Sequence, residues 1–539
     1  MARRRAGFVV LPALLVGGAL LSVLPEGAGA IRIAGVSLTW WYAIVLAPAV
    51  ATLVGFVAGA PGDIRSLLLW ATPALVVPLA TQVFVAAPAA PLVALAAVIA
   101  PLLARLVRPP AALALPRPLV AGLLTAAVAL VAWANFLVVA DVARGLGGER
   151  WHGLALTAPV ALALAWRPDT RWRPPAMIAS VALLAIALVA VAVAMTVTPW
   201  RAWSRLGSQP VVAFTQHSLW VETGRTFPAP TSVMLTEAQR ITATTAAVWR
   251  VVADDGVGPA AHEWRLARGD SLALRSGDQV LLPAGAGVRF ESGRRVPGAP
   301  PSGVAWADAT AHSAFGGLLV AVGAALTLVV GGAALLAPSS ATTPARSRVA
   351  WPAIALVIVL VAVCWGVYAA DVGADLALGA PAAAAFVRLP SVAVSGAWGS
   401  TLVVVTVVAI VGLLATAATT LADRAVGAWY PGRGATLHAR TLRAGVVTVA
   451  AVLALVPAPP WNVLMLGFGL AAAGLGPALV DASLNGRLVA SVTGSLAVVF
   501  LALAGSWLAL TSPALAMYPA LVAVPLAAAT GWVAAGRRG

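Results

Sequence analysis

Long apolar runs separated by short polar connections make up most of this chain. A run of about 20 apolar residues is long enough to cross a bilayer as a helix. The pattern predicts fourteen such spans, seven on each side of a polar central region. The predicted spans are 7–24, 40–60, 66–85, 88–106, 119–140, 153–166, 176–198, 313–337, 351–370, 400–421, 444–456, 461–480, 488–510 and 513–535.

Three of these segments have an alternative interpretation. The spans at 153–166 and 444–456 are short, and each could be re-entrant or part of a longer, tilted helix. The first run follows three arginines at positions 3–5 and could be a signal peptide cut after the small residues 27–30. Its apolar part is longer than the usual core of a signal peptide, which favours an uncleaved first span.

The central region, residues 199–312, has a different pattern. Between 214 and 308, apolar residues occupy every second position of short segments at 271–274, 279–282 and 287–290, as half-buried strands require. Turns are predicted at 269–270, 277–278 and 255–256, each a Gly-Asp or Asp-Gly pair. Further strands are predicted at 217–222, 232–236 and 248–253. We therefore expect an all-β sandwich or barrel of about seven or eight strands between the transmembrane halves 1–198 and 313–539.

A short motif follows the second of these turns: Gly277, Pro283, Ala284 and Gly285. It resembles the second conserved box of the cupin family, in which a metal-binding histidine follows three residues after the last glycine. That position is Val288 here, and Ser292 stands where the family pattern has asparagine. No upstream pair of histidines with a glutamate matches the first box of the family. The resemblance implies a cupin-like β fold without its metal.

Arginine placement predicts how the chain is oriented. All 34 basic residues are arginine, which indicates a GC-rich bacterial genome. With a cytoplasmic amino terminus, nineteen arginines fall in cytoplasmic connections and only four in short outer loops: Arg32, Arg144, Arg150 and Arg388. Basic residues are enriched in cytoplasmic loops. The bias predicts a protein of the bacterial cytoplasmic (inner) membrane with both termini in the cytoplasm and residues 199–312 outside.

The central region offers two sets of candidate residues. Its eleven arginines nearly balance its nine acidic residues, which argues against a nucleic-acid partner despite the net charge of +16. Arg289, Arg294 and Arg295 form a basic cluster that could contact lipid head groups or an acidic partner, or could be a solvated loop. The second set consists of histidines and glutamates. No two of its histidines have the spacing that would bring metal ligands together on one strand or one helix. Its members are His217, Glu222, His262, Glu263 and His312.

The predicted spans hold few polar side chains. Acidic residues lie in connections, in the central region or at span ends, so the spans lack the groups that bind or relay ions. Asn135 is the deepest strongly polar side chain, and we expect it to make an interhelical hydrogen bond. The twelfth span contains glycines and a proline with two possible roles. They either break the helix and expose backbone carbonyls, as at transport sites, or allow neighbouring helices to pack closely. They are Gly467, Gly469, Gly474, Gly476 and Pro477.

These features rank three hypotheses of function. The first is a non-enzymatic multi-pass membrane subunit that anchors or scaffolds an envelope complex, with residues 199–312 docking partner proteins. The second is a permease for an apolar or lipid-like substrate. An enzyme acting on lipid-linked substrates ranks third. Glycosyltransferases of this kind need acidic residues in their first outer loop, and Glu26 is the only acidic residue predicted there. The sequence also shows no nucleophile with a matching base. No cofactor is predicted, and the expected partners are membrane lipids and other envelope proteins.

Overall fold

A bundle of apolar helices carries a β domain on one face in the computed structural model of this chain. The structure describes residues 2–23, 31–57, 68, 70–85, 90–106, 115–167, 170–209, 211–216, 218–227, 230–254, 259–299, 302–304, 314–336, 351–378, 381–430, 436–479, 484–505 and 513–536.

The helices are numbered in chain order. They are α1 (Ala2–Val23), α2 (Leu38–Val57), α3 (Pro73–Phe84), α4 (Ala90–Leu106), α5 (Arg117–Gly145), α6 (Arg150–Trp166), α7 (Arg173–Met195), α8 (Pro199–Ser208), α9 (314–336), α10 (Trp351–Val372), α11 (Ala383–Ala393), α12 (Gly396–Trp429), α13 (Leu437–Leu453), α14 (Pro460–Leu475), α15 (Leu484–Leu503) and α16 (Ala520–Gly536), with a short helix at Pro513–Met517.

Six helices among the described residues are long and apolar enough to cross a membrane: α2, α5, α7, α10, α12 and α15. Membrane embedding of the chain follows from their length and composition. A helix overlaps each of the predicted spans, although several of these helices are short; α3, for example, has 12 residues. The total of fourteen spans therefore stays a prediction.

Two segments differ from the sequence-based expectation. Residues 383–393 were expected in an outer loop but form α11, whose 11 residues are too few to register as a span. Within the described part of the span predicted at 66–85, the α-helix begins at Pro73. Thr72 accepts a hydrogen bond from the Leu75 N–H there, and proline occupies the first helical position. Both are start signals of a helix, so α3 is shorter than its apolar run.

Hydrogen bonds between helix ends lie on two opposite faces of the bundle. On one face, Arg388 Nε of α11 donates to the carbonyl of Gly145 at the end of α5, at 2.8 Å. On the other face, Arg117 Nη2 at the start of α5 donates to the carbonyl of Trp429 at the end of α12, also at 2.8 Å. Helix ends that the alternation of spans assigns to the same side are thus in contact.

The β domain contains eight strands among the described residues. A separate hairpin, β1 (Arg32–Ile33) and β2 (Val36–Ser37), precedes α2. The strands of the domain are β3 (Arg225–Thr226), β4 (Thr231–Met234), β5 (Gln239–Ala243), β6 (Ala247–Asp254), β7 (Pro259–Leu266), β8 (Ser271–Leu274), β9 (Gln279–Leu282) and β10 (Gly287–Arg289). They form two antiparallel sheets in the orders β3-β10-β5-β8 and β4-β9-β6-β7. Both sheets contribute to one core, in which Trp249, Val280 and Val288 are fully buried.

Local sequence signals explain two of the turns. Gly269 and Gly277 have φ angles of +96° and +92°, which glycine adopts without strain. The carboxylate of the aspartate that follows each glycine accepts a backbone N–H three residues upstream, at 2.7 Å for Asp270 and 2.8 Å for Asp278. The predicted turns therefore stand where the sequence placed them. The turn predicted at 255–256 lies outside the described residues.

One predicted strand is wrong. Residues 217–222 were expected to form a strand, but Leu219–Glu222 is a single turn of helix. The cause is Ser218, whose hydroxyl accepts a hydrogen bond from the Trp220 N–H at 3.2 Å and so caps this turn. Strands β5 and β7 were not predicted, because polar side chains at both faces hide their alternation.

The amphipathic helix α8 joins the β domain to the bundle. Its Trp203 packs edge-on against Trp40 with ring centroids 4.5 Å apart, and its Trp200 lies 4.0 Å from Trp41. Arg205 near its end forms an ion pair with Asp371 of α10. These contacts tie the start of the central region to the face of the bundle that carries Trp40 and Asp371.

Candidate functional site

A cavity of about 250 Å³ lies at the junction between the β domain and the bundle. We call it the junction cavity. One wall comes from the start of the β domain, and the other comes from the end of α10, the turn after it and α11. The lining residues are Thr215, Ser218, Leu219, Trp220, Arg225, Val372, Asp375, Leu376, Arg388 and Val392.

Three charged side chains face the junction cavity. The buried hydroxyl of Ser218 donates a hydrogen bond to the buried carboxylate of Asp375. The guanidinium of Arg388 donates to two carbonyls, Gly145 at 2.8 Å and Leu376 at 3.0 Å. The third charge is Arg225 of β3, and its side chain makes no hydrogen bond or ion pair with any residue that the structure describes.

The electrostatics of the junction cavity favour an anion. Two arginines against one carboxylate leave a net charge of +1. Burial raises the pKa of the Asp375 carboxyl, while the hydrogen bond from Ser218 and the charges of Arg225 and Arg388 oppose this in part. Protonation of Asp375 would leave both arginine charges uncompensated. A cation is disfavoured in either state.

The fold positions these groups through aromatic packing and a helix cap. Ser218 caps the helical turn that carries Trp220, and the Trp220 ring lies 4.9 Å from Phe227 and 5.8 Å from Phe290 between ring centroids. The core of the β domain thereby fixes the wall that carries Ser218 and Trp220. Sequence reasoning missed the cavity because its walls come from segments 157 positions apart at Ser218 and Asp375. The only local signal was the pairing of acidic and basic residues in one predicted outer loop.

Strand β7 is an open edge of the second sheet. It pairs with β6 over its full length, and within the described residues no strand pairs with its other side. Trp264 is opposite the buried Trp249, so both side chains lie on the inward face of the sheet. Trp264 is nevertheless 46% exposed, because it lies at the margin of the core. Glu263 and Arg265 lie on the outward face, and both are exposed.

The predicted basic cluster is partly neutralised. Arg294 Nη1 lies 2.9 Å from Glu237 Oε1 and its Nε lies 3.5 Å from Glu291. The backbone N–H of Arg295 also donates to Glu237, at 3.1 Å. This N–H, followed by the Arg294 side chain, holds the pKa of Glu237 below its ordinary value. Arg289 is exposed on β10, so of the three arginines it is the Arg294 side chain whose charge is compensated by carboxylates.

Asn135 lies buried in the middle of α5. Its Oδ1 accepts a hydrogen bond from the Ala74 N–H at the start of α3, at 3.0 Å, and its Nδ2 donates to the Val131 carbonyl at 2.8 Å. The side chain thus joins two helices. Its contacts are with backbone groups of the bundle.

The glycine-rich segment of α14 changes its helical pitch. Residues Ala471–Leu475 are a π-helical turn and Gly476–Leu479 a 3₁₀ turn, so Pro477 lies within the latter. The Gly474 carbonyl accepts a hydrogen bond from the Ser491 hydroxyl of α15. A Cβ at Gly467 would lie 2.8 Å from Val131, whereas the nearest atom to one at Gly469 would be 3.5 Å away. The segment combines a change of helical pitch with close helix packing.

The remaining candidates that the structure describes, Glu222, His262 and Glu263, are not part of a metal site. His217 and His312 lie outside the described residues. Glu222 ends the helical turn after Ser218, and His262 and Glu263 are neighbours on β7. Consecutive residues of a strand point to opposite faces. Within the described ranges, no group of three His, Cys, Asp or Glu side chains could hold a metal ion. The cupin position Val288 is buried in the core.

Comparison with known proteins adds no identification: the chain matches no protein-family model and no curated protein.

Proposed function

We propose that this chain is a non-enzymatic membrane subunit that scaffolds an envelope complex and assembles through the open edge of its β domain. The observation that carries the proposal is Trp264, a large apolar side chain that is 46% exposed on β7, an edge strand whose outer side pairs with no strand of the described residues. Native proteins usually protect such edges, and an added strand is a recurrent mode of protein recognition. Pairing at this edge would bury Trp264 and extend the core beside Trp249.

The partner that best fits this edge is a second copy of the chain. In antiparallel pairing centred on Trp264, Glu263 of one copy faces Arg265 of the other, and Arg265 faces Glu263. The outward face then carries two pairs of opposite charge, and the inward face carries a pair of tryptophans. The short sequence Glu-Trp-Arg is thus complementary to itself across a twofold axis.

A charge-reversal experiment tests this assembly in the full-length protein. Either single change, Glu263→Arg or Arg265→Glu, converts both cross-strand pairs into repulsive ones, and we expect it to weaken the dimer about tenfold or more. The double change Glu263→Arg with Arg265→Glu restores two attractive pairs and is expected to restore the dimer. The measurement is the protein mass in detergent by light scattering over a range of concentrations.

Two further variants separate the edge from a general effect on the domain. Trp264→Ser should also weaken the dimer. The matched control is Met234→Ser, because Met234 is 59% exposed on β4, the opposite edge of the same sheet. A wild-type protein that is monomeric at all concentrations, or a double reversal that behaves like the single ones, would contradict the proposal.

We further propose that the two sheets stack as a jelly-roll sandwich. The support is the nested strand order, in which the first strand, β3, lies beside the last, β10, and the second, β4, beside the seventh, β9. Eight antiparallel strands in two sheets of this kind make two Greek keys around a single core. The cupin-like fold implied by the Pro-Ala-Gly motif has the same architecture.

We also propose fourteen spans in the bacterial inner membrane, with both termini cytoplasmic and the β domain outside. This rests on the distribution of arginines along the chain, nineteen on one side and four in short loops on the other. The contacts of Arg388 with α5 and of Arg117 with α12, at opposite ends of α5, support the same alternation.

A further inference from the structure

The junction cavity is lined by an arginine, Arg225, that makes no hydrogen bond or ion pair with the described residues. Arg388 donates to the carbonyls of Gly145 and Leu376, so its position serves the packing of α11 against α5. Asp375 is bonded by the hydroxyl of Ser218. Arg225 has no comparable bond within the described part of the chain, although it lines the same cavity. Its guanidinium is therefore available to a ligand.

The size and lining of the cavity restrict the ligand. About 250 Å³ is below the volume of pockets for drug-sized molecules, and it suits one small charged group. The apolar part of the wall includes Leu376, Val372 and Val392, which come from the end of α10, the turn after it and α11. Val392 is 38% exposed, so this apolar wall continues to the protein surface. A ligand with a compact anionic head and an apolar continuation would match both parts.

We propose that the junction cavity binds the phosphodiester of an anionic lipid, with Arg225 as the main ligand-binding side chain. The net positive lining selects an anion over a zwitterion or a cation. The position of the cavity, at the end of a membrane helix, supplies a lipid whose head group reaches the same level. Arg388 contributes charge from a fixed position, and the hydroxyls of Ser218 and Thr215 supply further polar groups in the wall.

Binding would be measured by calorimetry on the full-length protein in a non-ionic detergent. The probes are dihexanoyl phosphatidylglycerol, which is anionic, dihexanoyl phosphatidylcholine, which is zwitterionic, and inorganic phosphate. We expect the anionic lipid to bind most tightly. Arg225→Gln should weaken its binding about tenfold or more, since a charge-assisted hydrogen bond is lost.

A second variant makes the opposite prediction. Asp375→Asn removes the one negative charge of the lining and keeps a side chain that can bond Ser218, so we expect it to bind the anionic lipid several-fold more tightly. The matched control is Arg268→Gln, an exposed arginine in the turn before β8, which should bind as the wild type does. Wild-type affinity in Arg225→Gln, or equal affinity for the two lipids, would overturn the proposal. Equal affinity for inorganic phosphate would overturn the assignment to a lipid.

Discussion

Asn135 shows what a single polar side chain does inside the apolar bundle. Helix α3 begins at Pro73 among buried residues, where water cannot reach the free N–H groups of its first turn. Thr72 accepts the N–H of Leu75 at 3.3 Å, and Asn135 of α5 accepts the N–H of Ala74 at 3.0 Å. The amide therefore allows a helix to start in the interior of the bundle.

Replacing Asn135 by leucine is expected to destabilise the protein by about 1–3 kcal/mol, because the Ala74 N–H is left buried without an acceptor. The matched control is Thr157→Val. Thr157 is also buried, but its hydroxyl bonds only the Gly153 carbonyl of its own helix, so its loss should cost less. The measurement is thermal unfolding of the purified protein in detergent. Equal losses in the two variants would show that Asn135 does not hold the start of α3.

Helix α14 shows how glycines act at the scale of an element. The sequence left open whether its glycines bend the helix or allow close packing. In the structure Gly467 lies against α5, which is close packing, and the π-helical turn Ala471–Leu475 that follows changes the helical pitch. The carbonyl of Gly474 in this turn accepts a hydrogen bond from the Ser491 hydroxyl, so α15 contacts the π-helical turn.

Two glycines of α14 are expected to respond differently to alanine. A Cβ at Gly467 would lie 2.8 Å from the side chain of Val131 and 3.1 Å from the Ala127 carbonyl, so Gly467→Ala should cost about 1–3 kcal/mol. At Gly469 the nearest atom is Pro519 Cγ at 3.5 Å, which is ordinary contact. Gly469→Ala should be neutral or slightly stabilising. Comparing unfolding temperatures of the two variants tests this, and an equal loss for both would contradict it.

The strands of the β domain also differ in how far the sequence predicts them. Strands β8 and β9 were predicted because glycine and aspartate turns frame their alternating apolar residues. Strand β5 was missed because Gln239, a polar residue, is buried in it. The helical turn after Ser218 was missed because a capping hydroxyl outweighed a short alternating pattern.

At the scale of the whole molecule, the predicted orientation puts the β domain and the start of α13 on opposite sides of the membrane. We expect a cysteine at Arg268, in an exposed turn of the β domain, to react with a membrane-impermeant maleimide in intact cells. A cysteine at Leu437, exposed at the start of α13, should react only after the membrane is opened. The wild type, with Cys364 inside α10, gives the background. Labelling of both positions from the same side would refute the predicted topology.

The junction cavity, unlike the apolar spans, could not be predicted from the sequence. Arg388 was counted as a charge in an outer loop, and Ser218 and Arg225 belonged to a region treated as strands and turns. Their meeting depends on how the end of α10 packs against the β domain, a contact between distant segments. Likewise, the predicted cluster at Arg294 and Arg295 is paired with Glu237, which lies 57 positions before Arg294.

The sequence by itself determined that apolar helices build most of this protein and that a β region interrupts them, because a helix in lipid requires a continuous apolar run, whereas a half-buried strand requires alternation. Tertiary structure alone decided that Asn135 would close the start of α3, that β7 would be left as an edge, and that Arg225 would face Asp375 across the junction cavity. The physical reason is that periodicity is a property of neighbours along the chain, whereas the partner of a charge or a free N–H is chosen by packing between segments far apart in it.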